Sequence, residues 1–260
     1  MYQQEIIRSN VDTLLPRVDS EVFDQHPKAV FWVGQVATIN SVLAPAEFVG
    51  ALQLRANTYI DDLGWLDERS RDEVGREIDE DDARSVHFAI LEKNGSIQPK
   101  VVGASRLILK TSESDKLPIE RFYPEAFADT PAELGAVEGS RLIARHPNQF
   151  KQHLISMANI RAMDLWALNE KVPYIYGVAE RPLLRFLKLH GFPYEQLSDY
   201  KNLPEYGDTL NAAIRFDPRK VAALNPENSS RATVLKKFFE EAVDTLGLGY
   251  FDEELEKTED

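Results

Sequence analysis

Three charged side chains lie inside apolar runs of the sequence, where charges are uncommon. Arg106 interrupts the run VVGASRLIL, and Glu138 and Arg141 interrupt the run AVEGSRLIA. A charge buried in a strand is costly unless an opposite charge pairs with it, so each of these side chains requires a partner. The acidic residues that the pattern leaves available as partners are Glu77, Asp79 and Asp82. The alternative is that the three charges lie on edge strands and face water.

The spacing within the second run bears on which face each side chain occupies. Side chains alternate between the two faces of a strand, which places Glu138 and Arg141 on opposite faces. Gly139 lies between them, and a glycine inside a strand often marks a bulge. A bulge at Gly139 would re-aim both side chains.

Several chemistries are excluded by what the sequence lacks. The 260 residues include no cysteine, which rules out a disulfide framework, a thiol nucleophile and cysteine-ligated metal sites. The sequence has no GxSxG motif and no P-loop. The five histidines show no metal-ligand spacing, and Asp79, Asp81 and Asp82 lack the glycine and the distal glutamate of a calcium loop. We therefore expect no metal and no bound cofactor.

The charge of the chain is unevenly distributed. A net charge of −13 argues against non-specific binding to nucleic acid or to an anionic membrane. Residues 141–188, however, contain eight basic residues against three acidic ones. This basic segment is either a set of solvated helix faces or a dock for an anionic group, such as a phosphopantetheine phosphate or an acidic carrier protein.

The apolar pattern predicts a mixed α/β fold with an open, twisted sheet. Strands are predicted at 29–39, 86–92, 100–110, 136–144, 173–179 and 209–216. Helices are predicted at 45–60, 148–169 and 182–190, with others near the ends at 5–18 and 235–246. An Asn-Gly pair after Lys93 predicts a hairpin, and long polar loops are predicted at 61–82 and 111–134.

This pattern divides the chain into three parts. They are an N-terminal helical extension at 1–28, one α/β domain at 29–218, and a C-terminal helix with an acidic tail at 219–260. No apolar stretch approaches the length of a membrane helix, and residues 1–17 carry no pattern of a secretory signal. We therefore expect a cytoplasmic protein.

Four groups of residues follow one another in a defined order. They are Arg55-x3-Tyr59-x5-Trp65, Glu77-Ile78-Asp79-x2-Asp82, Val102-Gly103-Ala104-Ser105-Arg106-Leu107 and Glu138-Gly139-Ser140-Arg141. In order and spacing these groups resemble the acyl-homoserine-lactone synthases. That family makes quorum-sensing autoinducers and is a branch of the GNAT superfamily of N-acyltransferases. The resemblance covers roughly residues 33–216.

The resemblance implies a GNAT fold in which splayed central strands hold an acyl-pantetheine arm. It implies a cleft between the strands that carry Arg106 and Glu138. It further implies that the acidic and arginine residues form a network that shapes an S-adenosylmethionine site. The catalytic residues would be Glu138, as general base through water, with Arg106 and Arg141. The substrate-binding residues would be Arg55, Tyr59, Trp65, Asp79 and Asp82.

The implied reaction is physically reasonable. An α-amine with a pKa of about 8 is only about one-tenth deprotonated at pH 7, and only the free base attacks a thioester. A carboxylate that accepts the proton contributes about 10²–10⁴-fold. Backbone amides freed by a bulge at Gly139 would hydrogen-bond the thioester oxygen as it becomes negative.

Some departures from the family pattern leave the amine substrate open. Tyr59 replaces a usual phenylalanine, Asp81 replaces an aromatic or small residue, and Val137 replaces a frequent tryptophan. The loop 145–153 lacks the glycines that cradle a pyrophosphate, which favours an acyl carrier protein over coenzyme A as the donor, with the basic segment 141–188 as its dock. The alternatives are an N-acyltransferase for another amine that forms no lactone, and a non-catalytic protein that binds an acyl ligand.

Overall fold

The computed structural model describes residues 30–36, 46–93, 100–189, 191–207 and 209–222. The terminal helices predicted at 5–18 and 235–246, the extension at 1–28 and the Asn-Gly turn lie outside the described residues. The three-part division of the chain therefore remains a prediction. The backbone of the first strand is described, but its side chains are not.

Eight strands and five α-helices make up the described part of the chain. The strands are β1 (Val30–Val36), β2 (Ser85–Lys93), β3 (Lys100–Leu109), β4 (Val137–Ala144), β5 (Ile175–Glu180), β6 (Tyr194–Gln196), β7 (Lys201–Leu203) and β8 (Thr209–Phe216). The helices are α1 (Ala46–Ala56), α2 (Pro118–Phe122), α3 (Gln149–Asn169), α4 (Arg181–Leu189) and α5 (Pro218–Ala222).

The polar stretches contain more regular structure than their composition predicts. Helix α1 continues into a π-helical turn at Asn57–Asp62, and 3₁₀ turns follow at Glu68–Ser70 and Glu80–Arg84. The second predicted loop contains α2 and a 3₁₀ turn at Pro124–Phe127, each beginning with a proline that fixes the helical φ angle. A further 3₁₀ turn spans Pro204–Tyr206.

The strands form one sheet in the order β1-β2-β3-β4-β5-β8-β6, with β7 pairing with another part of β8. All pairs are antiparallel except β4 with β5. The parallel pair is joined by the crossover helix α3, whose N-cap Asn148 accepts a hydrogen bond from the backbone N–H of Lys151. This architecture confirms the predicted open mixed sheet.

Helices cover both faces of the sheet. Helices α3 and α4 pack on one face, where Ile90, Leu107, Ile155 and Leu187 are buried in a common core. Helix α1 packs on the other face, burying Phe48 and Leu52 against β2 and β3. Side chains alternate between these layers along each strand, so neighbouring positions of β3 serve different cores.

The cleft in the sheet lies between β4 and β5. These strands pair at only three positions, Val137 with Ile175, Glu138 with Tyr176 and Gly139 with Gly177, and then separate. The strands that carry Arg106 and Glu138, β3 and β4, remain paired along most of their length. The cleft was predicted between β3 and β4 but lies between β4 and β5, so that prediction was wrong.

Candidate active site

A network of three arginines and three carboxylates lies at the edge of helix α1 and strands β3 and β4. Its members are Arg55, Glu77, Asp79, Asp82, Arg106 and Arg141. The three positive and three negative charges balance. Balance and multiple hydrogen bonds are the conditions under which buried charges are tolerated, because each ion loses its hydration. These contacts confirm the prediction that acidic partners neutralise Arg106 and Arg141. For Glu138 the prediction of an oppositely charged partner was wrong, because among the described residues no cation pairs with it and its carboxyl group accepts a backbone hydrogen bond instead.

Arg55 holds the innermost part of the network. It is only 2% exposed, in the last turn of α1. Its two terminal nitrogens donate to the two oxygens of Asp82, at 2.7 and 2.9 Å, and its Nε donates to Glu77. A bidentate arginine–carboxylate pair fixes orientation as well as charge. Arg55 therefore locks the 77–82 segment against the helix.

Arg106 joins the two aspartates from the strand side. Its guanidinium donates to both oxygens of Asp79, at 2.6 and 2.7 Å, and also to Asp82. Asp79 and Asp82 are themselves positioned by a reciprocal capping box at the 3₁₀ turn, in which each side chain bonds the other residue's backbone N–H. The spacing Asp79-x2-Asp82 thus allows a capping box that holds both carboxylates where Arg106 donates to them.

Arg141 completes the network from β4, with a backbone φ of 55°. It donates to Glu77 at 2.9 Å and to Asp79 at 3.0 Å. Ala104 of β3 pairs with Ile143 of β4, and Arg106 of β3 pairs with Ser140 of β4. One residue of β3 therefore lies opposite two residues of β4. The bulge is therefore at 141–142, and its predicted position at Gly139 was wrong.

No bulge forms at Gly139 because this residue keeps its regular pairing with both neighbouring strands. Gly139 still pairs regularly with Leu107 of β3 and with Gly177 of β5, so no residue is inserted there. A positive φ is strained for arginine, and the bonds to Glu77 and Asp79 offset that strain. Because a bulge bends its strand, it also accounts for the separation of β4 from β5. Arg141 and the other network residues consequently meet on one face.

Burial and charge act in opposite directions on the network carboxylates. Burial by itself would raise the pKa of Asp82, but Arg55 and Arg106 hold that pKa well below its ordinary value. The pKa of Glu77 is likewise lowered, since Arg55 and Arg141 outweigh the effect of burial. The carboxylates are therefore ionised at neutral pH, and the network stays intact.

His87 is a buried imidazole beside this network. Its Nε2 lies 3.7 Å from Asp82 Oδ1 and has no hydrogen-bond partner among the described residues. Burial is the main reason that its pKa is lowered to about 4, and the guanidinium groups of Arg55 and Arg106 add to the effect. His87 is therefore neutral in the folded protein at pH 7.

This gives a prediction for acid stability. The folded-state pKa of His87 lies below the unfolded value of about 6.5, so the unfolded chain binds more protons between pH 6.5 and 4. Stability is then lost as the pH falls through that window, by about 2 kcal/mol at pH 5. Denaturant unfolding of the wild type and of His87→Phe at pH 7.5 and 5 tests this. Equal losses in both proteins would contradict it.

Glu138 is 1% exposed and lies outside the arginine network. Its Oε2 accepts a hydrogen bond from the backbone N–H of Ile119 in α2, at 2.8 Å. Burial raises the pKa of Glu138 to about 8, and the nearby charge of Asp81 adds to the rise. A carboxyl group with such a pKa is a far stronger base when ionised than an ordinary glutamate.

A cavity of about 1070 Å³ follows the cleft, and Arg141 is the network residue that lines it. Its wall includes residues 139–144 of β4 and 175–180 of β5, so the cavity follows the separation of the two strands. One end is apolar, between Ile160 and Met163 of α3 and Leu187 of α4. Glu138 itself does not line the cavity, but the next residue, Gly139, does.

Aromatic rings form the other end of the cavity. Trp65 stacks against Tyr59 with ring centroids 5.9 Å apart and against Tyr206 at 6.3 Å, and all three line the cavity. Arg141 lies over the ring of Tyr59, 5.2 Å from its centroid. Gly207, with φ 65°, permits the close approach of Trp65, because a Cβ at that position would overlap the indole. The predicted residues Tyr59 and Trp65 are thus beside the network.

Tyr206 was missed from the sequence. It ends a proline-initiated turn far along the chain, and no motif singles it out. Burial raises the pKa of Tyr206 above its ordinary value, and the charge of Glu138 adds to the rise. Asp81, a departure from the family pattern, bonds Arg84 at 2.6 Å and Arg121 at 2.9 Å and does not line the cavity.

The basic segment 141–188 divides into two sets. Arg141 belongs to the network, and Lys151 bonds Glu92 at 3.0 Å. Arg181, Arg185 and Lys188 are exposed on one side of α4, at helical spacing. Among the described residues no cluster of histidine, aspartate and glutamate is arranged to hold a metal ion, and no helix is long and apolar enough to cross a bilayer.

Residues 54–154 match the family model of the acetyltransferase (GNAT) domain. This part of the chain is similar to the GNAT acetyltransferases. The match contains the whole arginine–carboxylate network and Glu138, which confirms the superfamily that the sequence resembles. No protein of curated function matches the chain in sequence.

Solved structures share the fold of this GNAT domain. The acyl-homoserine-lactone synthase LasI superposes with a TM-score of 0.55 at 16% identity, over 74% of this chain and 91% of LasI. A CoA-dependent acyl-homoserine lactone synthase, BjaI, solved with S-adenosylmethionine (SAM) and isopentyl-CoA, gives 0.58 at 19%, over 84% and 90%. TofI, in a complex with an inhibitor and methylthioadenosine (MTA), gives 0.55 at 18%, over 73% and 91%. At these identities the likeness establishes the fold.

Proposed function

We propose that the protein transfers an acyl group from a carrier-bound thioester to the amine of SAM. The observation that carries this proposal is a cavity that follows the β4–β5 cleft and is lined by Arg141 of the balanced arginine–carboxylate network. Such a cavity accepts an extended acyl-pantetheine arm between the strands. Arg141 and the aromatic rings of Tyr59, Trp65 and Tyr206 then form the wall against which the amine substrate binds, and the rest of the network holds Arg141 in place.

The bond changes follow from the positions of these groups. The amine nitrogen attacks the thioester carbonyl, a C–N bond forms, and the C–S bond breaks to release the carrier thiol. Glu138 takes the proton lost by the amine through intervening water, since Gly139 lines the cavity and Glu138 itself does not. A base with a pKa of about 8 is well matched to an α-amine of similar pKa.

Lactone formation would follow when SAM is the acceptor. The carboxylate of the acylated methionyl group attacks its own γ-carbon, the bond from that carbon to sulfur breaks, and MTA leaves. The fold shared with BjaI, which was solved with SAM and isopentyl-CoA, supports this acceptor. The second candidate is another amino acid or amine, which would give a stable N-acyl product. It is kept open by Tyr59, Asp81 and Val137, which depart from the family pattern.

An acyl carrier protein is the donor that the loop before α3 favours. The backbone N–H of Asn148 already donates to His146 Nδ1 at 2.9 Å, and that of Lys151 donates to Asn148 Oδ1 at 3.1 Å. Side chains of the loop therefore occupy amides that would otherwise bind a pyrophosphate. The exposed Arg181, Arg185 and Lys188 on α4 would dock the acidic carrier, within the basic segment 141–188.

The experiment that tests the function supplies matched acyl groups on carrier protein and on coenzyme A with SAM, methionine or other amino acids. We expect turnover with SAM that releases MTA and an acyl lactone, detected by mass spectrometry. A stable N-acyl amino acid without MTA would select the second candidate. Binding of acyl donors without turnover of any amine would instead indicate a non-catalytic acyl-binding protein.

A further inference from the structure

Glu180 is an acidic residue without a partner in the wall of the cavity. It ends β5 and is partly buried. Among the described residues, no cation pairs with its side chain and no group donates a hydrogen bond to it. The backbone N–H groups in the first turn of α4, which begins at the next residue, do not donate to it either. Burial raises the pKa of Glu180 above its ordinary value. Glu180 therefore places a carboxyl group without an ion pair in the cavity wall.

Asn211 supplies a second unpartnered acceptor beside it. The side chain is 1% exposed and lines the same cavity, and its Oδ1 has no hydrogen-bond partner among the described residues. Its Nδ2 donates to the carbonyl oxygen of Thr209 at 2.8 Å and to the hydroxyl of Thr209 at 2.9 Å. That hydroxyl in turn donates to the carbonyl oxygen of Tyr206. Reversing the amide would set two oxygens against each other, so the unpartnered atom is the oxygen.

The strand register brings the two acceptors together. Glu180 of β5 pairs directly with Asn211 of β8. Side chains of directly opposed residues lie on the same face, with Cβ atoms about 4.5–5.5 Å apart. A buried acceptor without a donor costs stability, and a carboxylate without a cation costs more. Two such groups side by side in a cavity wall are the arrangement expected of a binding site whose ligand supplies what is missing.

The ligand chemistry follows from these groups. Both acceptors call for a cation or an N–H or O–H donor, and the aromatic rings of Trp65 and Tyr206 in the same cavity attract cations through their faces. We propose that Glu180 and Asn211 bind a positively charged group of the amine substrate, and that this group is distinct from the amine that reacts. This inference rests on the proposed function. In SAM this group is the sulfonium. In a diamino acid it is the second ammonium.

The test compares substrates that differ in this charge. For the full-length wild type, calorimetry should give tighter binding of SAM than of S-adenosylhomocysteine, which lacks the sulfonium charge, or of lysine than of norleucine. In Glu180→Gln the preference should fall by about tenfold or more, with KM raised and kcat nearly unchanged. Asn211→Ser should weaken the cationic ligand in the same direction. Glu205→Gln, an exposed glutamate near Tyr206, is the matched control and should keep the preference.

Thermal stability separates binding from a structural role. Because Glu180 is an unpaired, partly buried acid, Glu180→Gln should leave Tm unchanged or raise it, as expected of a residue kept for function. An undiminished charge preference in Glu180→Gln, or a lowered Tm with equal losses for charged and neutral ligands, overturns the inference. Failure of acyl transfer to every amine would defeat the proposed function alone, since the charge preference is measured by binding.

Discussion

Replacement of Glu138 by glutamine is expected to lower kcat by about 10²–10⁴-fold, because the variant cannot accept the proton of the attacking amine. The variant should remain folded. Its amide oxygen can still accept the hydrogen bond from Ile119, and Glu138 itself is mostly protonated below pH 8. The measurement is the steady-state rate of thiol release with saturating acyl donor and amine, accompanied by a thermal melt.

The pH dependence makes this prediction specific. In the wild type, kcat/KM should rise from about pH 6 to about pH 8, since both the amine and Glu138 must lose a proton. The folded pKa of Glu138 is above its unfolded value of 4.5, so the folded state binds more protons between pH 4.5 and about 8 and its stability falls as the pH rises through that window. Glu138→Gln should therefore be the more stable protein at pH 9. Wild-type rates in Glu138→Gln would refute its role as the base.

Glu120→Gln is the matched control for a buried glutamate with a structural role. Glu120 accepts hydrogen bonds from Lys110 Nζ, with both distances 3.0 Å, and from the backbone N–H of Leu117 and Ala132. Its substitution leaves Lys110 without its carboxylate, so Tm should fall. The kcat of the folded fraction and its pH profile should stay those of the wild type.

Replacement of Arg106 by methionine is expected to lower the free energy of unfolding by about 3–5 kcal/mol, a fall in Tm of about 10 °C. The substitution leaves Asp79 and Asp82 with a negative charge that Arg55 and Arg141 no longer balance. Asp79 also pairs with Arg141, which lines the cavity, so acyl transfer should be lost as well. Denaturant unfolding and the thiol-release assay measure the two effects.

Arg69→Met makes the same change in an exposed pair. Arg69 bonds Asp67 in the 68–70 turn with 90% of its side chain exposed, and its loss should leave stability and activity as they are. If Arg106→Met is too unstable to purify, Arg106→Lys keeps the charge but loses the two parallel bonds to Asp79 and should be intermediate in stability. Wild-type stability in either Arg106 variant would contradict a cooperative network.

Local patterns explain why much of the fold and the network was predictable. Arg106, Glu138 and Arg141 stood out because charges inside apolar strands need partners, and the spacing of Asp79 and Asp82 is that of a capping box. Strand β8 has the predicted bounds, Thr209–Phe216. Helix α3 was predicted to begin at residue 148, which is its N-cap, and it begins at the next residue. These features depend on residues that are near one another in sequence, which is what a pattern can record.

Helix α2 and the 3₁₀ turn after it were missed within a polar stretch. Their apolar residues Leu117, Ile119 and Phe127 have no helical periodicity, but they are buried against Tyr176 of β5. Packing with a distant strand, and not local propensity, decides that these residues form helical turns.

The amino-acid sequence by itself determined the order of the longer strands and helices, the need for arginine–carboxylate pairing and the residues that would supply it. Only the tertiary structure decided that the bulge is at Arg141, that the cleft lies between β4 and β5, and that Tyr206 and the pair of Glu180 with Asn211 belong to the cavity. Each of these depends on strand register or on ion pairs between residues far apart in the chain. Such contacts are selected by the burial of the whole sheet, and no short stretch of sequence encodes them.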